Sequence, residues 1–319
     1  MRLSRPFIQL PWRFDTDTIA NEIQALDESA WMTHPSRMQG NSAVALVSRG
    51  GHDNDDFDGS MAVTPHLEAC PTLYRLLASF GEVIGRSRLM KLAPGAEVAV
   101  HVDFNYHWFS RIRIHVPIIT SDAVTFFCGN ERVHMAEGES WIFDSWRRHR
   151  VTNEGSEDRI HLVIDTSGSS QFWQTVREME AIPPHQWSEN LREVDFSAAD
   201  VGSLRVEKHN IAPVMAPGEM RALAEDLIAD FERHAKNPPE KVEQYRRLLL
   251  DLCADWRVTF AQYGYEPEGL PHYQALLQSA QEKMDDDRRA LVTGSNMVGV
   301  NPIIVQRILR AALGPDYNQ

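Results

Sequence analysis

Between Arg86 and Ser167 the hydrophobic pattern of this chain changes period, and that change restricts the fold more than any other feature of the sequence. Eight short segments occur there: SRLMKL, EVAVHVD, SRIRIHVPII, AVTFFC, ERVHM, ESWIFD, HRVTN and RIHLVIDT. Each is apolar or alternates apolar with polar residues, and Gly, Pro, Asn or Asp punctuates the intervals. Period two is the mark of a half-buried strand, and short apolar runs bounded by turn residues also fit buried strands. Eight such strands predict a sandwich or barrel. A jelly roll, the double-stranded β-helix, meets the count and encloses a cavity of small-ligand size.

The flanks read differently, so the chain as a whole is mixed β and α. In DTDTIANEIQALDES, Ile19, Ile23 and Leu26 stand at helical spacing and predict a helix starting near Asp15 or Asp17. HLEACPTLYRLLASFGE predicts a second helix, with Leu73, Leu76, Leu77 and Phe80 on one side and Gly81 as its stop. Between them SRGGHDNDDFDGS is a surface loop, read either as a solvated loop or as a flap over a site. Beyond Ser170 five segments carry apolar stripes with polar faces, separated by proline-rich stretches. The expected organisation is a jelly-roll domain with N-terminal helices over 1–170 and a mostly helical domain over 171–319. The stripe Met215, Met220, Leu223, Leu227 and Phe231 reads as core, with a homodimer surface as the alternative.

The function classes narrow further with composition. With 43% hydrophobic and 24% charged residues in 319, the chain has the balance of a folded globular protein. A net charge of -13 argues against nucleic acid as a partner. No run reaches the roughly 18 apolar residues of a membrane span, and the apolar stretch in MRLSRPFIQLPWRFD is too short and interrupted for a signal peptide. A cytosolic protein with no membrane partner is expected. Cys70, Cys128 and Cys253 form no CxxC pair and read as small buried residues. The basic residues Arg147, Arg148 and Arg150 around His149 suggest a small anionic ligand.

Chemistry concentrates in the strand region. A strand running through EVAVHVD would turn His101 and Asp103 to one face. His149 opens a later strand, and antiparallel packing would bring it beside that pair. Two histidines and one carboxylate on one face of an octahedron leave three positions for other ligands, the set of non-haem iron(II) oxygenases. His101 and Asp103 alone would read equally well as a structural histidine and a turn residue. Arg159 shifts that balance. It starts a strand in which Arg159, His161, Val163 and Asp165 share a face. A guanidinium inside a barrel needs an anion, and the distal carboxylate of 2-oxoglutarate is one. Arg111, Arg113 and His115 alternate with Ile112, Ile114 and Val116. That basic row faces either the cavity, where Arg113 and His115 would contact a carboxylate, or solvent, the alternative kept for Arg111. Trp141 and Phe143 read as barrel core, and Asn105 to Trp108 as a candidate rim for substrate.

The stretch from about Leu89 to Asp165 resembles the aspartyl/asparaginyl beta-hydroxylase family. The resemblance lies in Pro94-Gly95, the HVD triplet, RIRIHVPI, and GESWIFDSWRRHRVTNEGSEDRIHLVIDT. It implies metal binding by His101 and His149 and 2-oxoglutarate binding by Arg159, with Arg113 and His115 as additional contacts. Some members lack the metal carboxylate, whereas Asp103 is present here, so His101, Asp103 and His149 are the expected catalytic and metal set. The resemblance further implies iron(II), 2-oxoglutarate and dioxygen as cofactor and co-substrates, and hydroxylation of an amino-acid-like small molecule, in the manner of relatives that hydroxylate free proline. Two rivals remain from the residues alone: a jelly-roll sensor that binds a small ligand or metal without turnover, and an enzyme using zinc or manganese.

Overall fold

The computed structural model describes residues 2–33, 39–196, 202–315 and 317. The chain divides into two units, one of residues 1–101 with 110–210 and one of 102–109 with 211–319. Its strands are β1 (Phe7–Arg13), β2 (Met32–Thr33), β3 (Asn41–Arg49), β4 (Met61–Val63), β5 (Val83–Leu92), β6 (Glu97–His101), β7 (Ile112–Ile119), β8 (Val124–Cys128), β9 (Glu131–Val133), β10 (Glu139–Phe143), β11 (His149–Asn153), β12 (Arg159–Thr166), β13 (Arg192–Glu193) and β14 (Arg205–Val206). The helices are α1 (Asp17–Gln24), α2 (Pro65–Glu68), α3 (Pro71–Ser79), α4 (Tyr106–Ser110), α5 (Ser170–Ala181), α6 (Pro217–Glu232), α7 (Pro239–Tyr263), α8 (Leu270–Glu282) and α9 (Val300–Ile303).

In the first unit, β5 to β12 distribute themselves between two sheets. The large sheet contains the order β10-β7-β12-β5 and the small sheet the order β6-β11-β8-β9. That interleaving is the double-stranded β-helix, as the strand count anticipated. The large sheet continues through β1 and β13 on one side and β3 and β2 on the other. β3 is buried nearly throughout, so its sequence NSAVALVSR shows no alternation.

Period two sorts the side chains of the large sheet. Ile112, Ile114, Val116 and Ile118 of β7 and Ile160, Leu162 and Ile164 of β12 lie in one apolar core with Ile19 and Ile23 of α1, Leu73, Leu76 and Leu77 of α3, and Phe172, Val176 and Met179 of α5. The intervening residues, including Arg113, His115, Arg159, His161 and Asp165, are thereby committed to the opposite face, toward the small sheet. α1 begins at Asp17, within the predicted start. The second predicted helix is two, because Pro71 lacks an N–H to continue α2 and instead occupies the first turn of α3.

The expected domain boundary at 170/171 is corrected. α5 packs on β1, β13 pairs with β1, β14 pairs with β5, and the first unit runs to Asn210. The helical period of α5 marks a change of local structure only, since its apolar stripe covers the barrel's own sheet.

The second unit is helical. Met215, Met220, Leu223, Leu227 and Phe231 are all buried within the chain, which assigns the stripe to core. Trp256 Nε1 donates to Met215 O at 2.8 Å, tying α7 to the start of α6. Segment 102–109 belongs here: Tyr106 Oη donates to Glu219, and Arg307 Nε donates to Phe104 O at 3.2 Å. Among the described residues no helix is long and apolar enough to cross a membrane. The three cysteines are unbridged and buried, and burial pushes the Cys128 thiol up to about 12.

Candidate metal and co-substrate site

β6 ends at His101, β11 begins at His149, and the two residues are direct partners in the small sheet. Their ring centroids lie 4.1 Å apart. His101 Nδ1 lies 2.8 Å from Ala99 O, and His149 Nδ1 2.9 Å from Arg147 O. A carbonyl oxygen only accepts, so each neutral ring carries its proton on Nδ1 and turns the lone pair of Nε2 outward, the tautomer a metal requires. One ligand atom from each of His101, Asp103 and His149 lies within 4.8 Å of the others. The predicted strand through Asp103 is corrected: β6 stops at His101, and Asp103 reaches the histidines by nearness in the chain. This donor set, with its tautomers fixed, fits a divalent transition metal.

Aromatic rings lead from these ligands into the barrel. Phe143 packs on His149 at 4.8 Å and on His115 at 5.4 Å, while Phe126 from the small sheet packs on His115 at 5.2 Å. His115 in turn lies 5.8 Å from His161. Beside this pair stands Arg159, 5% exposed, its guanidinium 5.6 Å from the Phe126 ring centroid and donating through Nη2 to His161 Nδ1 at 3.0 Å. Among the described residues no carboxylate forms an ion pair with Arg159, and its Nε, both nitrogens of His115 and His161 Nε2 lack hydrogen-bond partners. Desolvation alone pushes Arg159 down to about 9. His115 and His161 are held well below the usual imidazole range, first by burial and then by the Arg159 charge. A buried charge without a counterion costs several kcal/mol, of order 3–5, and orphaned buried donors add to it. The arrangement is therefore complementary to an anion.

The β11–β12 hairpin connects the two halves of this site. Asn153 Nδ2 donates to Leu92 O at 2.9 Å and Glu157 O at 2.8 Å, while its Oδ1 accepts from Gly155 N at 3.1 Å. One side chain thus sets the turn that returns the chain ten residues after His149 with Arg159 opposite Leu92.

Residues 13–168 match the family described as Aspartyl/Asparaginyl beta-hydroxylase. In this region the chain is similar to the aspartyl/asparaginyl beta-hydroxylase family. Among solved structures, the chain is similar to an oxidoreductase of the 2OG-Fe(II) oxygenase family from Burkholderia pseudomallei, at 16% identity over 47% of this chain and 76% of that one, with a TM-score of 0.35. It is also similar to a prolyl-4-hydroxylase from Pseudomonas putida, at 12% identity over 52% of this chain and 95% of that one, with a TM-score of 0.36.

The matched region carries a second charged cluster on the same sheet face, at Asp165, four residues beyond His161 along β12. Arg113 donates to Asp165 in a fork, Nε to Oδ1 at 2.8 Å and Nη2 to Oδ2 at 3.1 Å. β7 sets Arg113 opposite Asp165 and leaves His115 nearer the Arg159 end. Arg86 and Arg88 of β5 join the cluster. Arg88 donates to the Asp55 carboxylate, and Arg86 donates to Asp55 O at 2.9 Å and stacks on Phe57 at 3.9 Å. The loop proposed as a flap is thus pinned over the arginines by Asp55 and Phe57. Arg86 and Arg88 were missed in the sequence, although Gly85-Arg86-Ser87-Arg88 shows the same alternation that singled out Arg113 and His115.

Other basic residues take structural duties. Arg111, read as solvated or cavity-facing, is buried and forks onto Glu207, Nε to Oε1 and Nη2 to Oε2, each at 2.9 Å. Arg147 donates to Asp144 at 3.0 Å, and Arg150 lies over the Phe127 ring at 4.0 Å. The Gly-Glu step before β10 has a steric cause: at Gly138, with φ +74°, a Cβ would sit 2.1 Å from Phe14 O.

Proposed function

We propose that the chain is an iron(II)- and 2-oxoglutarate-dependent dioxygenase that hydroxylates an amino-acid-like substrate while 2-oxoglutarate is decarboxylated to succinate. The observation that supports this most directly is the combination of a two-histidine, one-carboxylate ligand set with a buried arginine that no carboxylate of the described chain neutralises.

His101 and His149 would hold the metal through Nε2, and Asp103 through a carboxylate oxygen. When bound, ferrous iron and 2-oxoglutarate supply the oxidising chemistry, which no side chain of this site can provide. Arg159 binds the distal carboxylate of 2-oxoglutarate with parallel hydrogen bonds, and His115, neutral because it is buried beside that cation, donates one N–H to the co-substrate. Phe126 and Phe143 line the path between metal ligands and Arg159 and keep water from it. Arg86, Arg88 and Arg113 pair with Asp55 and Asp165 and brace the sheet that carries Arg159.

Succinate release, read together with a gain of one oxygen across a panel of free amino acids, tests the proposal. His101→Ala is expected to abolish turnover, and Arg159→Ala to raise the KM for 2-oxoglutarate by about a hundredfold, the effect of truncating one partner of a buried charge pair. Wild-type-like turnover in His101→Ala would remove the metal assignment and the proposal with it, whereas ligand binding with no decarboxylation in the wild type would leave a non-catalytic binding protein. Activity retained in Asp103→Ala would reduce the metal set to two histidines.

A further inference from the structure

We infer that His161 is a positioning residue for the co-substrate, accepting a hydrogen bond from Arg159 and so fixing the plane in which that guanidinium meets a carboxylate. The inference rests on reading Arg159 as the 2-oxoglutarate anchor and adds a residue to which that reading gives no role.

Three observations carry it. Arg159 Nη2 lies 3.0 Å from His161 Nδ1, and the two residues are 5% and 0% exposed. A guanidinium only donates, so Nδ1 is the acceptor and the imidazole is neutral with its proton on Nε2. Second, the register with β5 fixes where both partners stand: Arg159 and His161 lie opposite Leu92 and Met90, and His161 lies opposite Pro117 of β7, just past an irregularity in that pairing. Third, Phe126 packs against both, its ring 19° from the plane of His161 and 5.6 Å from the Arg159 guanidinium carbon. Among the described residues Arg159 has a single side-chain acceptor, and the direction of that one bond decides which edge of the guanidinium is left for a ligand. His161 Nε2–H, buried and without a partner among the described residues, remains available to the same bound carboxylate or to a water beside it.

The test compares His161→Asn, which keeps an acceptor oxygen near the position of Nδ1, with His161→Leu, which keeps bulk and removes the acceptor. The Kd of 2-oxoglutarate is measured by titration calorimetry on manganese(II)-loaded protein, with kcat and KM in iron(II) and thermal melting alongside. His161→Leu is expected to raise the Kd and KM for 2-oxoglutarate about tenfold, the lower range for a hydrogen bond to a charged group, with kcat within about twofold; His161→Asn is expected to recover most of the affinity. Equal Kd in wild type and His161→Leu, or equal damage in both variants at unchanged melting temperature, overturns the inference while leaving the proposed function standing. Absence of 2-oxoglutarate binding in the wild type removes both. Should His161→Leu not fold, His161→Gln moves the acceptor outward by about one bond, and an unchanged Kd in that variant likewise overturns the positioning role.

Discussion

The two ends of one sheet face handle buried arginine in opposite ways. At the β12 end that carries Asp165, Arg113 has a forked carboxylate partner, and Arg86 and Arg88 share Asp55 and Asp165. At the other end Arg159 has an imidazole for company and desolvation as the cause of its shift. A structural ion network supplies its own counterions because an unmatched buried charge destabilises the fold. A binding site omits them, since a counterion already in place would compete with the ligand. The same residue type, on adjacent strands of one sheet, thus separates a scaffold role from the proposed recognition role by what stands opposite it.

The largest effect expected from this contrast is on stability. Asp165→Asn leaves Arg113 and Arg86 without their buried partner and should lower the unfolding free energy by about 3–5 kcal/mol. Arg159→Met removes a buried charge that the folded chain does not neutralise, and should leave stability unchanged or raise it. Urea unfolding of both variants without ligand checks the pair; a loss of similar size in Arg159→Met would mean that the chain does satisfy Arg159 and would break the comparison.

A smaller effect follows from the histidines at the recognition end. Folded His115 and His161 titrate well below an exposed imidazole, so above about pH 6.5 neither the folded nor the unfolded chain protonates them and they contribute no pH dependence. As pH falls through that value the unfolded chain takes up protons that the folded chain refuses, and stability is lost. The slope approaches about 1.4 kcal/mol per pH unit for each histidine. Unfolding measured between pH 7 and 5 in wild type and in a His115→Phe, His161→Phe double variant should differ by this slope; parallel curves would show that these rings are not held neutral by the fold.

The smallest expected change concerns the loop. Asp55 is part-exposed and contributes only one of the two carboxylates at the scaffold end. Asp55→Asn should cost about 1 kcal/mol or less, as screened pairs do, and should loosen the loop over Arg86, read as faster amide exchange across residues 50–60. Unchanged exchange would mean that the Phe57 stack and the Asn210 hydrogen bonds to Phe57 and Gly59 hold the loop without Asp55.

Much of this was legible in the sequence for a definite reason. Alternation at period two is a local property, so the eight strands, the apolar row of β7 and the common face of Arg159, His161 and Asp165 could be read residue by residue. The grouping of His101, Asp103 and His149 was legible through the short HVD spacing and the resemblance that links it to His149. Helical period was legible too, but not its allegiance: α5 looks like any amphipathic helix, and only its contacts with β1 place it with the barrel. The strand β3 was missed because a strand buried on both faces has no period to read.

Sequence alone determined which face each side chain takes, because the backbone geometry of a strand imposes that on its own residues. Tertiary structure alone decided what stands opposite: that Arg113 meets Asp165, Arg111 meets Glu207 and Arg159 meets an imidazole, with no acid paired to it among the described residues. Those pairings join residues up to 96 positions apart, and they depend on strand register, bulges and loop closure summed over the whole barrel. The charge of a side chain is written in the chain, whereas the neutralisation of that charge is a property of the fold.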